Sequence, residues 1–164
     1  MKKRILTWLL AISMLGSLLT VPAGAAAVTK FSDVSDSYTA TAVESLRLMG
    51  VLDGYGDGTF RPDTVLNRAQ FCKMAVYAMD GSGELGRYST VTIFPDVKPS
   101  HWASAYINMA ARKGIISGFA DGKFKPGQTV TAGQAVTILM RGLGYKDEDM
   151  GGVWPQSYMA EAQT

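Results

Sequence analysis

An eleven-residue pattern occurs twice in this chain, and this internal duplication restricts the possible folds more than any other feature of the sequence. Residues 53–63 read DGYGDGTFRPD, and residues 117–127 read SGFADGKFKPG. At an offset of 64 positions the shared residues are the pairs Gly54 and Gly118, Asp57 and Asp121, Gly58 and Gly122, Phe60 and Phe124, and Pro62 and Pro126. The flanks repeat as well, with FSDV at 31–34 and FPDV at 94–97. A duplication of this kind predicts tandem copies of one small structural unit.

The pattern within each unit predicts a helix, a tight turn and a second helix. In the first unit, apolar residues between Thr39 and Met49 recur at helical spacing, and Gly50 follows where a helix ends on a left-handed residue. The duplicated run predicts the turn, because glycine tolerates positive φ and Asp-Gly favours a tight reversal, so Gly58 and Gly122 are expected to be left-handed. A capping-box pattern opens the second helix of each unit, Asn67 with Gln70 and Thr131 with Gln134.

One helix pair of this size cannot bury its apolar face alone, so the units are expected to share a core. Phe60 and Phe124 are predicted to join each helix pair to its turn, and residues 80–90 and 144–152 are predicted to be exposed joints. Our assignment is residues 28–80 for the first unit, 81–93 for a linker, 94–144 for the second unit and 145–164 for the start of a third.

The third unit is predicted from aromatic spacing, since Trp154 and Tyr158 repeat the spacing of Trp102 and Tyr106. The sequence stops within the first helix of this unit. We therefore expect an apolar face around Trp154, Tyr158 and Met159, and self-association through it.

Two ligand loops that the duplicated run resembles are excluded by spacing. With Asp53 as the first position of a calcium loop, Tyr55 falls at the third position, and Thr64 falls where a bidentate glutamate is needed. The run also lacks the Gly-Lys-Ser/Thr ending and the dinucleotide glycine spacing of phosphate loops.

The N-terminal residues have the pattern of a secretory signal peptide, which we assign to residues 1–27. MKKR is followed by an apolar segment and by VPAGAAA, with cleavage expected after Ala25 or Ala27. Removal of this segment takes away three of the 16 basic residues and leaves 13 against 14 acidic ones. A nearly neutral secreted chain argues against nucleic acid as a partner, and we expect no membrane span after cleavage.

Polar and aromatic residues near the helix starts are the candidates for a binding site. Asn67, Gln70, Thr131 and Gln134 satisfy helix caps without any ligand. Arg68 is different, because a cation in the first helical turn opposes the helix dipole. A bound anion, met by free N–H groups and the guanidinium together, would explain it, and a solvated surface residue is the alternative.

Other conspicuous residues have structural interpretations. Trp102 either stacks on a sugar ring or, as is commoner at the start of an amphipathic helix, lies in the core. Cys72 is expected to be a buried apolar residue, since no second cysteine exists for a disulfide. His101 is expected at the surface, and Asp33 and Asp96 are expected to cap or brace turns. No catalytic constellation, metal site or cofactor is predicted.

The order of these motifs resembles the S-layer homology repeat, over essentially all of residues 31–164. The resemblance rests on FSDV or FPDV, a helix, the Gly-aromatic-x-Asp-Gly-x-Phe-basic-Pro run, and a helix opening like Thr-Arg-Ala-Glu. It implies a mainly α fold in which three repeats form a pseudo-threefold helical prism. It also implies non-covalent binding to secondary polysaccharides attached to bacterial peptidoglycan, often at pyruvylated sugars, and hence a location at the cell wall.

The family's binding motif falls on Asn67, Arg68, Ala69 and Gln70 in the first unit, which keeps the arginine and loses the acid. In the second unit it falls on residues 131–134, Thr-Ala-Gly-Gln, which has lost the arginine. The candidate glycan contacts are therefore Arg68, Asn67, Gln70, Thr131 and Gln134 from this motif, together with Trp102, which could stack on a sugar ring, and Lys123, which could supply charge nearby. Three functions remain open: a wall anchor, the anchor of a secreted wall or polysaccharide hydrolase with its catalytic domain beyond residue 164, and a structural S-layer subunit.

Overall fold

The computed structural model describes residues 30–79 and 82–163, so the predicted signal peptide lies outside the described residues. Over these residues the chain is mainly helical, and its β pairing is a single isolated antiparallel bridge between Asn67 and Thr129. The helices are α1 (Ser37–Leu48), α2 (Arg68–Ala78), a first 3₁₀ helix (Ser82–Tyr88), α3 (Ser104–Arg112), α4 (Ala132–Gly142), a second 3₁₀ helix (Asp147–Asp149) and α5 (Gln156–Glu161). This confirms the mainly α fold, while the threefold prism stays a prediction.

Local side-chain caps start the helices where the sequence predicts. The Asn67 side chain accepts the Gln70 N–H at 2.9 Å, and the Gln70 side chain accepts the Asn67 N–H at 2.9 Å. Thr131 and Gln134 form the same reciprocal pair at the start of α4. At the end of α1, Gly50 has φ +72°, as expected of a residue that ends a helix in the left-handed region.

Each duplicated turn is held by an aspartate from the segment that precedes the first helix of its unit. The Asp33 carboxylate accepts the N–H groups of Phe60 (2.7 Å) and Arg61 (2.6 Å). Asp96 accepts the equivalent N–H groups of Phe124 (2.9 Å) and Lys125 (2.7 Å). The repeated FSDV and FPDV motifs therefore brace the turns, as predicted.

The aromatic residues of the turns pack on those same motifs. The Phe60 ring lies 5.7 Å from the Phe31 ring, and the Phe124 ring lies 5.5 Å from the Phe94 ring. Phe124 is fully buried. The predicted role of Phe60 and Phe124 in joining turn to helix pair is confirmed.

The main core is shared between the first two units, as expected of helix pairs that are too small to fold alone. Helix α2 belongs to the first unit, yet it packs against α3 and α4 of the second. Buried residues of this core are Ala69, Cys72, Ala75, Val76, Phe94, Val97, Ala103, Ile107, Met109, Ala110, Ile115, Ile116, Phe124 and Ile138. A smaller core of Phe31, Val34, Ala40, Val43 and Leu52 lies within the first unit.

The segment between the first two units is largely exposed, as expected of a joint, but it also packs on one side against the second unit. Leu85 and Tyr88 of the first 3₁₀ helix are partly buried against the main core. The fully buried Asn108 side chain donates to the carbonyls of Tyr88 (3.3 Å) and Val91 (2.6 Å). A buried amide needs partners, and the backbone of this segment supplies them, so the segment is fixed to α3.

In the third unit the structure departs from the expected apolar face. Tyr158 is buried at 2% exposure, whereas Trp154 is 52% exposed. The Tyr158 hydroxyl donates to the Asp147 carboxylate, and α5 packs against α4. Tyr158 is therefore a core contact between α5 and the second unit. Within the described part of the chain, no helix has the length and apolar character needed to cross a membrane.

The duplicated turns provide a stability prediction. Gly58 has φ +80°, and a Cβ there would meet no atom within 4 Å, so a side chain is disfavoured by the backbone conformation alone. We expect Gly58→Val to lower the free energy of unfolding by about 1–3 kcal/mol. Gly56 is the matched control, because it also faces open space but lies outside the left-handed region. Equal melting temperatures for Gly58→Val and Gly56→Val would contradict the turn geometry.

The aspartate braces predict acid sensitivity. The N–H of Phe60 lowers the pKa of Asp33 from 3.8. Burial raises the pKa of Asp96, but the hydrogen bonds that its carboxylate accepts from the N–H groups of Phe124 and Lys125 lower the pKa by more, so the net shift is downward. The pKa of Asp57 falls to about 2, chiefly through the Thr59 hydroxyl. A carboxylate whose pKa is lower in the folded chain than in the unfolded chain stabilises the fold at pH values above its unfolded pKa of 3.8. This stabilisation is lost as the pH falls through the pKa of the folded chain.

We therefore expect the melting temperature to fall steeply as the pH is lowered from about 4 to about 2. Circular dichroism melts across this range measure the effect. The Asp96→Asn variant should melt lower at neutral pH and show a shallower fall, since one of the titrating groups is gone. A melting temperature that stays constant down to pH 2 would rule out the braces as titrating contributors.

Candidate functional site

Two cavities of similar size lie at equivalent places in the first two units. The Arg68 cavity, of about 390 Å³, is lined by Arg68, Ile116, Ser117, Gly118, Phe119, Gln134, Thr137, Ile138, Arg141, Asp147, Met150, Gly152, Trp154, Ser157 and Tyr158. The Trp102 cavity, of about 370 Å³, is lined by Val51, Leu52, Asp53, Gly54, Tyr55, Phe60, Arg61, Pro62, Thr64, Leu66, Gln70, Lys73, Met74 and Trp102. Each combines the duplicated turn and second helix of one unit with the leading tryptophan of the next.

Arg68 is the cation around which the first cavity is built. Only 5% of the residue is exposed. Its Nε donates to the Phe124 carbonyl (2.8 Å) and its Nη2 donates to the Ser117 carbonyl (3.3 Å). The guanidinium carbon lies 4.6 Å from the ring centroids of both Phe119 and Phe124. The alternative of a solvated surface arginine is therefore wrong.

The charge of Arg68 has no carboxylate partner within residues 30–79 and 82–163. Burial lowers the pKa of Arg68, but an arginine in a protein stays protonated. Two backbone carbonyls and two aromatic faces compensate the buried cation only in part. This leaves an incompletely compensated positive charge at the wall of a cavity whose lining is partly polar and partly apolar.

The first turn of α2 does not supply free N–H groups, and this part of our expectation was wrong. The N–H of Arg68 donates to the Gln128 carbonyl (2.8 Å), and the N–H of Ala69 donates to the Pro126 carbonyl (3.0 Å). The Asn67 cap takes the N–H of Gln70. The loop of the second unit thus covers the start of α2, so an anion in the Arg68 cavity would meet the side chain of Arg68 and not the first N–H groups of this helix.

Arg141 is a second cation in this cavity, and sequence reasoning missed it. Its Nε and Nη2 donate to the two oxygens of Asp147 at 2.8 Å and 2.7 Å, and its Nη1 donates to the Ser117 hydroxyl at 3.2 Å. The net shift of its pKa is upward: burial lowers it, but the bonds to Asp147 and Tyr158 outweigh burial. A basic residue in the last turn of a helix commonly complements the helix dipole, so its position gave no signal of a site.

Trp102 lies at the mouth of the second cavity and is 57% exposed, so the expectation of a core position was wrong. It precedes α3, and the His101 ring stacks on it with the ring centroids 5.7 Å apart. His101 is only partly exposed, and its Nδ1 accepts the Ala103 N–H at 3.1 Å. Trp102 shares its cavity with Gln70, Lys73 and Arg61.

The remaining candidates fall into two groups. Gln134 lines the Arg68 cavity, and Gln70 lines the Trp102 cavity, while both also serve as caps. Asn67 and Thr131 cap their helices and line neither cavity. Lys123 is exposed on the second turn and likewise lines neither.

Cys72 is fully buried, and burial raises the pKa of its thiol to about 12, as expected of an unreactive core residue. The described ranges contain no cluster of three or more histidine, cysteine, aspartate or glutamate residues able to hold a metal ion.

Comparison with known proteins identifies the duplicated unit. The model of the S-layer homology domain matches residues 30–72 and 93–136. The chain is 33% identical over 138 residues to the middle cell wall protein of Brevibacillus brevis, covering 83% of this chain and 13% of that protein. It is 38% identical over 143 residues to a cell surface protein of Thermoanaerobacter kivui, covering 85% and 18%.

A cellulosome-anchoring protein of Acetivibrio thermocellus is 31% identical over 115 residues, covering 69% of this chain and 26% of that protein. The chain therefore spans about a quarter or less of the length of each of these three relatives. The predicted location at the cell surface is confirmed by the family and by these relatives. Because the two matched regions cover more than half of the sequence, in register with the two structural units described above, the chain belongs to the S-layer homology domain family.

Proposed function

We propose that this chain holds an exported protein non-covalently on the bacterial cell wall by binding the acidic, pyruvylated sugars of a secondary polysaccharide attached to peptidoglycan. Family membership and relatives named for the cell wall and for anchoring support the anchoring role. The acidic class of ligand is inferred from one observation: Arg68 is a buried cation at the wall of a cavity, and it has no carboxylate salt-bridge partner among the described residues.

The Arg68 cavity suits a sugar that carries a carboxylate. Guanidinium and carboxylate form charge-assisted, bidentate hydrogen bonds, and these are stronger where water is excluded. Trp154 lines the same cavity, is half-exposed and presents aromatic surface to the apolar face of a sugar ring. A neutral sugar would add no negative charge to the partial compensation that Arg68 receives from the protein.

The contacts in this proposal are Arg68 and Gln134 in one cavity, and Trp102 and Gln70 in the other. Asn67 and Thr131 contribute by capping the helices that carry these side chains. Lys123 is not included, because it lines neither cavity. No reaction is assigned to this chain. The alternative predicted from the sequence, the anchor of a secreted hydrolase, uses the same cavities and differs only in its cargo.

Tryptophan fluorescence tests the proposal cavity by cavity. Of the three tryptophans, Trp8 belongs to the predicted signal peptide, so the secreted chain retains Trp102 and Trp154, one in each cavity. Purified wall polysaccharide should change the fluorescence of Trp102→Phe through Trp154, and that of Trp154→Phe through Trp102. Polysaccharide from which mild acid has removed the pyruvyl acetals is the control.

A saturable change with the intact polymer, and a much weaker one with the acid-treated polymer, is the expected result. Equal responses to the two polymers would contradict the acidic ligand class. No response from either tryptophan would contradict the cavities as binding sites.

A further inference from the structure

Two guanidinium groups converge on one serine in the Arg68 cavity. Arg68 comes from the first unit and donates through Nη2 to the Ser117 carbonyl at 3.3 Å. Arg141 comes from α4 of the second unit and donates through Nη1 to the Ser117 hydroxyl at 3.2 Å. Like charges repel, so two arginines held on one residue indicate a place that favours negative charge.

A single carboxylate accompanies this pair. Arg68, Arg141 and Asp147 are the charged residues among those that line the cavity. Asp147 accepts two hydrogen bonds from Arg141 and one from the Tyr158 hydroxyl, which is contributed by the third unit. The Arg141 side chain is 15% exposed, whereas the Asp147 side chain is 66% exposed. The cavity therefore has a surplus of one positive charge, with its carboxylate on the solvent side.

We propose that Arg141 is a second ligand-binding cation beside Arg68, and that Asp147 weakens the binding of anions in this cavity, with the larger effect on a dianion. This inference rests on the proposed function and specifies which charged side chains act on the ligand of its site. Arg68 and Arg141 together attract a carboxylate bound against Ser117. Asp147 repels it from the open side, and repels a dianion about twice as strongly.

The Asp147→Asn variant tests the role of Asp147, because the proposal predicts that this substitution tightens ligand binding. Asparagine keeps the size of the side chain and an oxygen that accepts from Arg141 or Tyr158, but it removes the negative charge. Removal of a like charge a few ångströms from the ligand should tighten carboxylate binding by about three- to tenfold and steepen its dependence on salt. Affinity for a dianion should rise further still.

The control is Glu148→Gln, which makes the same change of charge at the next residue. Glu148 is exposed, pairs with Lys146 Nζ at 3.1 Å and does not line the cavity. It should leave binding within about twofold of the parent chain, since an exposed charge outside the cavity is screened by salt.

The probes are a pyruvylated methyl hexopyranoside, the neutral parent glycoside and the methyl hexopyranoside 6-phosphate. Each is titrated against the Trp102→Phe chain, in which Trp154 reports on the Arg68 cavity. Asp147→Asn should bind both anionic glycosides more tightly than the parent chain does, with the larger gain for the phosphate. Unchanged or weaker binding by Asp147→Asn, or an equal gain with Glu148→Gln, would overturn the assigned role of Asp147.

Arg141→Gln tests the second cation. It should weaken binding of the pyruvylated glycoside by about tenfold, and Arg141→Lys, which keeps the charge and loses the fork of donors, should weaken it less. Melts of each variant confirm that it is folded at the titration temperature. If Arg68→Lys weakens binding and folded Arg141→Gln and Arg141→Lys do not, this inference fails while the proposed function stands. If none of the three weakens binding, the proposed function fails as well.

Discussion

Replacement of Phe124 by alanine is expected to lower the free energy of unfolding by about 3–5 kcal/mol, the largest loss for a single side chain in this fold. Phe124 is fully buried in the core shared by the first two units and packs on Phe94. Its removal leaves a cavity at the junction of α2, α3 and the second turn. Denaturant unfolding followed by circular dichroism measures the loss.

The equivalent residue of the first unit is the matched control for this prediction. Phe60 has the same place in the duplicated turn, but it is only partly buried and lies against the smaller core. Phe60→Ala should therefore cost less, about 1–3 kcal/mol. Equal losses from the two variants would show that the junction between units is not the main source of stability.

Arg68→Ala is expected to reduce both wall binding and stability. Binding should fall by at least about tenfold, because the cavity loses the cation proposed to contact the ligand. Stability should fall by about 2–4 kcal/mol, since the side chain donates to the Ser117 and Phe124 carbonyls and packs between two aromatic rings. From the sequence alone the same substitution is expected to leave the melting temperature intact.

Two further variants separate binding from folding. Arg68→Lys keeps the charge and one donor but loses the planar fork, so it should weaken binding with a smaller loss of stability. Arg87→Ala removes an arginine whose side chain is 80% exposed, and it controls for the loss of one positive charge. Wall binding by Arg87→Ala that falls as far as that of Arg68→Ala would show that general charge, and not the cavity, governs attachment.

The features predictable from the sequence are those formed by residues close together in the chain. The capping boxes at Asn67 and Thr131 join residues three positions apart, and the left-handed Gly58 and Gly122 are dictated by their own turns. The duplication adds the shared core, because two similar units that cannot fold alone must pack together. These interactions depend on local chemistry and on the repeat, and both can be read from one sequence.

The environment of the candidate site could not be predicted, because its contacts join distant parts of the chain. Arg68 donates to carbonyls 49 and 56 residues away, so neither its burial nor the coverage of the first turn of α2 has a local signal. Arg141 has the position of an ordinary helix-end cation until the structure brings Ser117 and Asp147 to it. Trp102 has the spacing of a core residue, yet it lies at the mouth of a cavity between two units.

Co-sedimentation with purified bacterial cell walls measures attachment through the secondary polysaccharide. The walls are used in three states: intact, treated with mild acid to remove pyruvyl acetals, and stripped of the secondary polysaccharide to leave peptidoglycan. We expect the secreted chain to pellet with intact walls, to pellet weakly with acid-treated walls and to stay in the supernatant with stripped walls. Undiminished sedimentation with stripped walls would contradict binding to the polysaccharide, because the chain would then bind peptidoglycan itself.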